Sequence, residues 1–487
     1  MVSNMKKISI WMDNKFKSKI SRLKKDTEVD VLIIGGGITG LSIAYNLINK
    51  NMKVALVEKN KIGGGITSRT TGKITFLQQN IYSKIEEKYS FEKAELYYQS
   101  QKDAIKKIVN IIDKEKIDCN LIKNKSYLFS NNEDNLEMIQ KEKNILEKFN
   151  EKVTYTNENF VIGEMKYQIS VDNTYVFHPL KYLYNLKDIC LKNNIDIYEN
   201  TTVYNIERKN ELYYCNTGKY KVIAKKVVLA IHYPYFLKPY FFPFKSTLEK
   251  SYVVACKVDK IEKTNGITPN NPSISFRYHE NEYPYLIYLS LSHVMQDEIN
   301  AKEMFYKLKN EVKLLGLDPS YVWSNHDIMT KDSLPIIGEM QDNLYIATGY
   351  NTWGMTNGTL AGMIISDLIM NKTNKYTKIF DPKRQEILQI GYSFVCNVKG
   401  FVKGKINRNK KFYNDKVVYL RENNKNIAIY KEGSKEYKVH SNCPHLGCGL
   451  IFNMEEKTWD CPCHGSRFNL KGDVILGPSN YSIKYDE

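Results

Sequence analysis

The sequence predicts an α/β protein that ends in a small all-β module, and three observations support this fold class. A strand–helix–strand pattern occupies residues 29–58, and amphipathic helices alternate with short β-rich runs over residues 80–330. The sharpest boundary lies between Asp381-Pro382 and the basic stretch 399–411, after which short alternating runs follow. Runs of that length, separated by turn residues, are typical of a small β-sheet domain.

Length and composition narrow the class of protein. The chain has 487 residues, which is room for about three domains. It contains no apolar run of about 18 residues, so no integral membrane segment is expected. Asp13 and several lysines interrupt the N-terminal apolar stretch, which predicts a cytoplasmic protein without a signal peptide. The net charge is +17, but the lysines are scattered and form no aromatic-interleaved patch, so nucleic-acid binding is not expected.

The strand–helix–strand unit carries a dinucleotide-binding pattern. The apolar run Val31–Ile34 ends at Gly35-x-Gly37-x-x-Gly40, a helix-spaced segment follows, and the next apolar run ends at Glu58. Glycines in this pattern let the backbone turn tightly and approach a pyrophosphate at the helix N-terminus, while the acidic residue binds a ribose diol. The order of strand, helix and acidic residue predicts a bound dinucleotide, although it does not separate FAD from NAD.

Two further segments resemble the glycine oxidase and D-amino-acid oxidase superfamily, namely GGGITSRTTGKIT (63–75) and the glycine-containing stretch 332–362. The resemblance implies FAD. It places the first segment beneath the flavin diphosphate and aims a helix that starts near Met355–Thr356 at the flavin's pyrimidine edge. No second GxGxxG unit occurs, so no NAD(P)H domain is expected. The cofactor-binding residues predicted in this way are Gly35, Gly37, Gly40, Glu58, Thr67, Ser68, Val203, Gly349, Gly354, Met355 and Thr356.

The same resemblance implies that the middle of the chain forms a mostly antiparallel sheet over the flavin. The FAD-binding segments are then 28–80, 180–250 and 325–395, within an oxidoreductase of residues 28–395, and the substrate domain is approximately 81–179 and 251–324. Candidates to face the substrate are Arg277, Tyr350 and His178. Arg277 could clamp a carboxylate or form a salt bridge on a strand, and His178 could be structural. No general base is identified.

The C-terminal module contains a dense group of metal-binding residue types. Cys443-x-His445 is followed after fifteen residues by Cys461-x-x-His464, and Cys448 and Cys463 are left over. Two thiolates and two imidazoles satisfy tetrahedral zinc. They also satisfy an iron–sulfur centre that has two histidines on one iron and two cysteines on the other.

The paired loops SNCPHLGC and CPCHGSRF strongly resemble those of Rieske [2Fe–2S] proteins, which read C-x-H-x-G-C and C-x-C-H-G-S. The resemblance implies a Rieske domain at 413–487 after a linker at 396–412, with ligands Cys443, His445, Cys461 and His464 and a disulfide between Cys448 and Cys463. We expect both histidines near the surface. Phe468 stands where high-potential members of the family have a hydrogen-bonding tyrosine, so a lower potential is expected.

The combination resembles a bacterial family of Bacillus-type flavin–Rieske proteins. It implies a Rossmann-like FAD-binding domain with an inserted antiparallel-sheet substrate domain, followed by a small all-β Rieske domain. The expected function is a flavin dehydrogenase that oxidises a small organic substrate, an amine or amino acid, by hydride transfer to FAD. Single electrons would pass through the cluster to a protein or quinone.

Two other functions are alternatives to a dehydrogenase. The first is a redox sensor or electron-transfer protein without substrate turnover. The second, a Rieske oxygenase, needs a further iron on two histidines and a carboxylate. His440 and His445 form the one H-x₄-H pair, and His445 is a cluster ligand, so the sequence does not favour an oxygenase.

Overall fold

The structure is a computed structural model that describes residues 5–13, 16, 18–156, 159–160, 162–234, 246–269, 273–295, 297, 299–384 and 416–485. The predicted linker at 396–412 lies outside these ranges. No helix within them combines the length and apolar character needed to cross a membrane. The α-helices are α1 Ile38–Asn46, α2 Ile81–Lys88, α3 Phe91–Glu115, α4 Leu136–Lys148, α5 Pro179–Lys192, α6 Ala301–Leu314, α7 Gly354–Ile369 and α8 Thr377–Phe380.

The strands are numbered along the chain. Those of the first half are β1 Thr27–Ile34, β2 Val54–Val57, β3 Lys73–Ile74, β4 Ile122–Ser130, β5 Val153–Tyr155, β6 Asn159–Phe160, β7 Gly163–Glu164, β8 Tyr167–Val176, β9 Asp196–Tyr198, β10 Asn205–Lys209, β11 Leu212–Asn216 and β12 Lys221–Leu229. The second half contributes β13 Ser246–Lys257, β14 Thr264–Ile267, β15 Ser275–Glu280, β16 Pro284–Val294, β17 Pro319–Thr330, β18 Ile336–Gln341 and β19 Leu344–Thr348. The C-terminal module contributes β20 Val417–Glu422, β21 Lys425–Glu432, β22 Lys435–His440, β23 Ile451–Asn453, β24 Thr458–Asp460, β25 Arg467–Phe468 and β26 Val474–Leu476.

The first large sheet is the predicted nucleotide-binding sheet. Its strands run in the order β10-β11-β12-β1-β2-β9, and β19 pairs with β12 and β18. The contacts of β1 with β2 and β12, of β2 with β9 and of β12 with β19 are all parallel. Parallel strands at the centre of such a sheet are covered by helices on both faces, which explains the continuous apolar runs in β1 and β2. The carboxyl ends of these strands converge on one edge, where ligands bind in open α/β sheets.

Helices α1 and α7 lie against each other at this edge. They approach closely because glycines face the contact: a Cβ at Gly358 would lie 2.8 Å from Ile38, and one at Gly362 would lie 2.7 Å from the Cβ of Ser42. The N-termini of both helices contribute residues to one cavity, described below. Two helix N-termini at one cavity favour negatively charged ligand groups there.

The second large sheet is mostly antiparallel, as the sequence predicts. Its strands run in the order β17-β13-β16-β15-β14-β4-β8-β3, and β5 pairs with β8. The long neighbours β13 and β17 pair over almost their full lengths, from Ser246 opposite Thr330 to Cys256 opposite Pro319. This sheet contributes side chains to the cavities beside the nucleotide-binding motif.

The C-terminal module consists of two small antiparallel sheets, β20-β21-β22 and β23-β24-β25-β26. The short alternating runs predicted after the stretch 399–411 include β20 and β21. Trp459 and Phe468, both fully buried, pack into one core with the cysteines of the two predicted metal-binding loops. The predicted fold class is therefore confirmed.

Candidate functional site

The glycine motif between β1 and α1 has three different spatial roles. Gly35 has φ +116°, and a Cβ there would lie 2.3 Å from the carbonyl oxygen of Ala230. A Cβ at Gly40 would lie 1.9 Å from the carbonyl oxygen of Gly35. At Gly37 the nearest atom to an added Cβ would be Thr67 Oγ1 at 3.2 Å, and Gly37 itself has no side chain to cap the helix that begins there. Packing therefore requires the first and third glycines, whereas the second leaves room over the N-terminus of α1 for a pyrophosphate.

Glu58 lies at the carboxyl end of β2 and fixes the loop around this motif. Its carboxylate accepts the backbone N–H groups of Gly36 and Asn60, each at 2.8 Å. Thr67 Oγ1 accepts the backbone N–H of Ile38 at 3.2 Å and so joins the following loop to the start of α1. These contacts hold the glycine turn open in the form that a dinucleotide needs.

The predicted cofactor residues divide into two groups. The first group lines one continuous cavity along this edge of the sheet and comprises Gly35, Gly37, Glu58, Thr67, Val203, Gly349, Gly354 and Met355. Gly40, Ser68 and Thr356 do not line it. Gly40 packs the helix on the strand, Ser68 donates to the carbonyl of Gly65 at 2.8 Å, and Thr356 is buried inside α7. The cavity fits FAD because glycine backbone and two helix N-termini form one wall.

The three substrate candidates have different positions. Tyr350 lines the cavity, with its hydroxyl 2.9 Å from Thr39 Oγ1. Arg277 is fully buried, and Nη1 of its guanidinium donates to the carbonyls of Thr71, Gly72 and Phe177 at 2.8–3.0 Å. His178 caps α5 by accepting the N–H of Lys181 at 3.2 Å. Arg277 and His178 are both used inside the fold, and neither lines the two cavities beside the nucleotide-binding motif, so a substrate role for either stays a prediction.

The two cysteine–histidine loops have matching backbone geometry. The N–H of Gly447 donates to the carbonyl of Cys443 at 2.8 Å, and the N–H of Gly465 donates to that of Cys461 at 3.0 Å. Both glycines have positive φ, +78° and +76°, which residues with a side chain rarely adopt. Each loop therefore presents its cysteine and histidine on one tight turn.

The loops bring the four predicted ligands together. The Cys443 and Cys461 thiols are close enough to shift each other's pKa, and the rings of His445 and His464 lie 5.1 Å apart at 89°. Burial lowers the pKa of His445 to about 4, and burial together with His445 lowers that of His464 to about 3. Both imidazoles are therefore neutral, the form that binds metal. A cysteine pair beside a histidine pair fits a Rieske [2Fe–2S] cluster.

Cys448 and Cys463 form a disulfide that joins the two loops. This pairing confirms the expectation drawn from the Rieske loops. The sulfurs of Cys448, Cys461 and Cys463 lie within 4.8 Å of one another, so the disulfide is directly beside a cluster ligand. A covalent link at this point holds the two halves of the cluster site together.

The second cluster loop faces the cavity that the flavin motif lines. His464 is only 3% exposed, and its ring lies 5.8 Å from that of Tyr233. A Cβ at Gly465 would lie 2.5 Å from Leu248, and both His464 and Gly465 line the cavity. The expectation that both histidines are near the surface is therefore wrong for His464, which docking of the module buries. His445 is half-buried beside the exposed Pro444.

The tail of the module covers the other end of the same cavity. Asn480 Nδ2 donates to the carbonyl of Val203 at 3.2 Å, and Asn60 Nδ2 donates to that of Val474 at 3.0 Å. Ile475, Leu476, Gly477 and Asn480 line the cavity. The sequence does not predict these residues as part of the site, because no local motif marks a contact between segments more than 250 residues apart.

A buried ion cluster, formed by Lys250, Ser324, Glu456, Asp460 and Arg467, fixes the module on the second sheet. Arg467 contacts Asp460 at 3.0 Å and Glu456 at 2.7 Å. Lys250 from β13 reaches Asp460 at 3.1 Å, and the backbone N–H of Ser324 in β17 donates to Glu456 at 3.2 Å. Two strands of the oxidoreductase thus bind the module through groups that water does not reach.

Replacing Lys250 with methionine is expected to weaken this docking strongly. The change keeps the buried aliphatic stem but removes the only lysine of the ion cluster, and breaking a buried ion pair typically costs about 3–5 kcal/mol. The free energy of the first unfolding transition in urea should fall by about this amount. Lys225→Met, which breaks the exposed pair with Asp30, is the control and should cost about 1 kcal/mol or less. Equal effects of the two substitutions would contradict a docking role.

Replacing Phe468 with tyrosine is expected to raise the reduction potential of the cluster. Phe468 is fully buried and packs in the same core as the four loop cysteines, and nearby Ser466 helps to lower the pKa of Cys443. A new hydroxyl donor would stabilise the reduced, more negative cluster. One hydrogen bond worth about 1 kcal/mol corresponds to about 40 mV for a one-electron couple. EPR-monitored redox titration measures this, and an unchanged potential would mean that residue 468 does not face the sulfurs.

The fold and the two cofactor sites together define an FAD-dependent oxidoreductase that carries a Rieske [2Fe–2S] cluster. Two family models match the chain: DAO, an FAD dependent oxidoreductase, over residues 30–368, and the Rieske [2Fe-2S] domain over residues 395–485. The chain belongs to the DAO family of FAD-dependent oxidoreductases, with a C-terminal Rieske domain.

Individual relatives agree with this assignment. The chain is 31% identical to the Rieske 2Fe-2S iron-sulfur protein YhfW of Bacillus subtilis, over 97% of this chain and 96% of that protein. Among solved structures it resembles glycine oxidase from Geobacillus kaustophilus, with TM-score 0.61 and 17% identity, covering 75% of this chain and all of that one. It also resembles L-proline dehydrogenase from P. horikoshii, with TM-score 0.62 and 17% identity, covering 76% of this chain and all of that one.

Proposed function

We propose that the protein is a dehydrogenase that oxidises a small organic substrate, an amine or an amino acid, and passes the electrons through the Rieske cluster to an external protein or quinone. One observation carries the proposal: His464 and Gly465 of the second cluster loop line the same cavity as Gly37 and Gly354 of the flavin motif. A cluster ligand beside the flavin site leaves no need for the Rieske domain to move between donor and acceptor.

The residues around the cavity suit the two cofactors to this task. FAD supplies two-electron chemistry and the cluster supplies one-electron transfer, so that together they convert a pair of electrons into single electrons. The N-termini of α1 and α7 favour negative charge on the pyrophosphate and on the reduced ring. Tyr233 and Leu248 lie against the His464–Gly465 turn and line the space between the two sites.

The His445 side of the cluster is the side from which electrons could pass to an external acceptor. His445 is half-buried, and the adjacent Pro444 is exposed, whereas His464 is covered. An external acceptor would therefore approach the first loop. In this arrangement His464 faces the electron donor within the chain, and His445 faces the partner.

A second cavity supports an enzyme that turns over a substrate and not a redox sensor that has none. It shares Thr70, Asp327, Thr352, Gly354 and Met355 with the flavin cavity and extends beneath the second sheet. Such a space beside the N-terminus of α7 is suited to a small substrate whose reacting carbon must reach the flavin ring. A sensor would not need this space.

Anaerobic rapid mixing with a panel of amines and amino acids tests the proposal. Flavin absorbance should bleach with a substrate-dependent rate, and freeze-quenched samples should then develop the EPR signal of the reduced cluster. Bleaching that is equally slow with every compound would support the sensor instead. Flavin reduction that never reaches the cluster would contradict the electron path.

A further inference from the structure

The second cavity, here called the substrate cavity, has a polar end that adjoins the flavin cavity, since Asn325 and Asp327 line both. Its wall on the second sheet is formed by neighbouring residues of the paired strands β13 and β17. Glu249 lies directly opposite Asp327, and Ser251 lies directly opposite Asn325. All four line the substrate cavity. Residues two apart on a strand share a face, so these side chains form one patch.

The two carboxylates of this patch are an unfavourable pair in the absence of a ligand. Directly opposed residues on antiparallel strands have Cβ atoms about 5 Å apart, and like charges in such positions destabilise a sheet. Burial, together with the charge of Glu249, raises the pKa of Asp327 to about 7. A cation bound between these two carboxylates would offset their mutual repulsion.

Two buried acceptors in the same patch have no partner among the described residues. Ser251 is 6% exposed and Asn325 is 7% exposed, yet Ser251 Oγ and Asn325 Oδ1 form no hydrogen bond. The orientation of Asn325 is fixed because its Nδ2 donates to Asp327 Oδ2 at 3.0 Å, which leaves its carbonyl oxygen free. An unmet buried acceptor costs about 1–3 kcal/mol, so a ligand with N–H donors is the natural partner.

The cations of the substrate cavity are engaged elsewhere. Lys73 donates to Ser275 Oγ at 2.6 Å and to the carbonyl of Gly266 at 3.2 Å, and burial and the nearby Arg277 lower its pKa to about 7. Arg69 Nη1 is bound to the carbonyls of Gly64 and Gly65. Among the described residues, neither side chain forms an ion pair with Asp327. The patch is therefore rich in hydrogen-bond acceptors, and the two nearby cations, Lys73 and Arg69, are bound to other groups of the protein.

We propose that the patch of Glu249, Ser251, Asn325 and Asp327 binds the ammonium group of the substrate, so that the substrate class is cationic amines and a carboxylate on the substrate is not required. The inference rests on the proposed function and narrows it. An ammonium ion supplies three N–H donors and one positive charge, which matches two carboxylates and two free acceptors. Arg277, one candidate for a carboxylate clamp, is instead buried in backbone contacts, which agrees with a substrate that needs no carboxylate.

The test uses three four-carbon probes on the FAD- and cluster-loaded protein: butylamine, butyrate and 2-aminobutyrate. Binding is measured anaerobically by the shift in thermal unfolding temperature, which does not need turnover. Butylamine should stabilise the protein, and butyrate should not. Asp327→Asn should weaken butylamine binding about tenfold or more, because a hydrogen bond to a charged group is lost. Glu249→Gln should act in the same direction.

Glu280→Gln, an exposed carboxylate on β15, is the matched control and should leave butylamine binding unchanged. Asp327→Asn relieves the repulsion between like charges, so the variant should fold with full FAD and cluster content. Butyrate binding as tight as that of butylamine, absence of butylamine binding to the parent protein, or unchanged binding in both variants would overturn the inference. Butylamine binding without flavin reduction by any amine would leave the inference standing and defeat the proposed dehydrogenase.

Discussion

Replacing Gly37 with valine is expected to weaken FAD binding about 100-fold while the chain still folds. The backbone of Gly37 has φ −86° and ψ −170°, an ordinary extended conformation that any residue adopts. An added Cβ would meet only Thr67 Oγ1, at 3.2 Å, so the protein itself can accommodate the branch. The pyrophosphate cannot, because the new methyl groups would occupy its place at the N-terminus of α1. A clash of about 3 kcal/mol would weaken FAD binding about 100-fold.

The cluster provides the control for this experiment. The Rieske EPR signal should persist in Gly37→Val, because the two cluster loops lie in the separate C-terminal module. The measurements are the FAD released per chain on denaturation and the EPR signal of the reduced protein. Gly40→Val would not serve, since a Cβ there would lie 1.9 Å from the carbonyl oxygen of Gly35 and would disturb the fold itself. Stoichiometric FAD in Gly37→Val would show that the cofactor lies elsewhere.

Replacing His464 with alanine is expected to remove the Rieske EPR signal completely and to leave FAD bound. Two imidazoles on one iron produce the Rieske type of centre, and His464 and His445 form the pair that the two loops bring together. The residues that hold the glycine turn, Glu58 and Thr67, are unaffected. In rapid mixing, the variant should reduce its flavin with substrate but should transfer no electrons onward.

His440→Ala is the matched control for this loss. His440 lies in the same module at the end of β22, where its ring contacts Tyr485 rather than the other histidines. Its removal should leave the iron content, the sulfide content and the EPR signal unchanged. An intact Rieske signal in His464→Ala, or a protein that contains zinc and no iron, would contradict the ligand assignment.

The local chemistry of both cofactor sites could be predicted from short segments of sequence. Gly35, Gly37 and Gly40 lie within six residues, and their roles follow from backbone conformation and from the absence of a Cβ. The two cluster loops were predictable for the same reason, because in each loop a glycine N–H donates to the carbonyl of the ligand cysteine. The resemblance of these loops to Rieske loops also implied the disulfide. Motifs of this kind are predictable because the contacts that define them lie within one turn of chain.

Arg277 shows what sequence reasoning could not determine. An arginine on a strand of the expected substrate sheet was a reasonable carboxylate clamp, but the guanidinium turns toward the carbonyls of Thr71, Gly72 and Phe177. Those partners come from segments 100 or more residues away in the chain. Which way a buried cation points depends on unpaired carbonyls nearby, and only the folded chain determines where they are.

The sequence by itself therefore determined the class of the protein, its two cofactors and the residues of each local motif. Only the tertiary structure decided how the two halves meet: His464 is buried in the flavin cavity, and Asp327 stands opposite Glu249 beside it. Nothing in the segments around residues 249, 327 and 464 indicates their proximity. The reason is physical, because a motif encodes contacts between neighbours in the chain, whereas strand register and domain docking arise from the burial of surfaces that are distant in sequence.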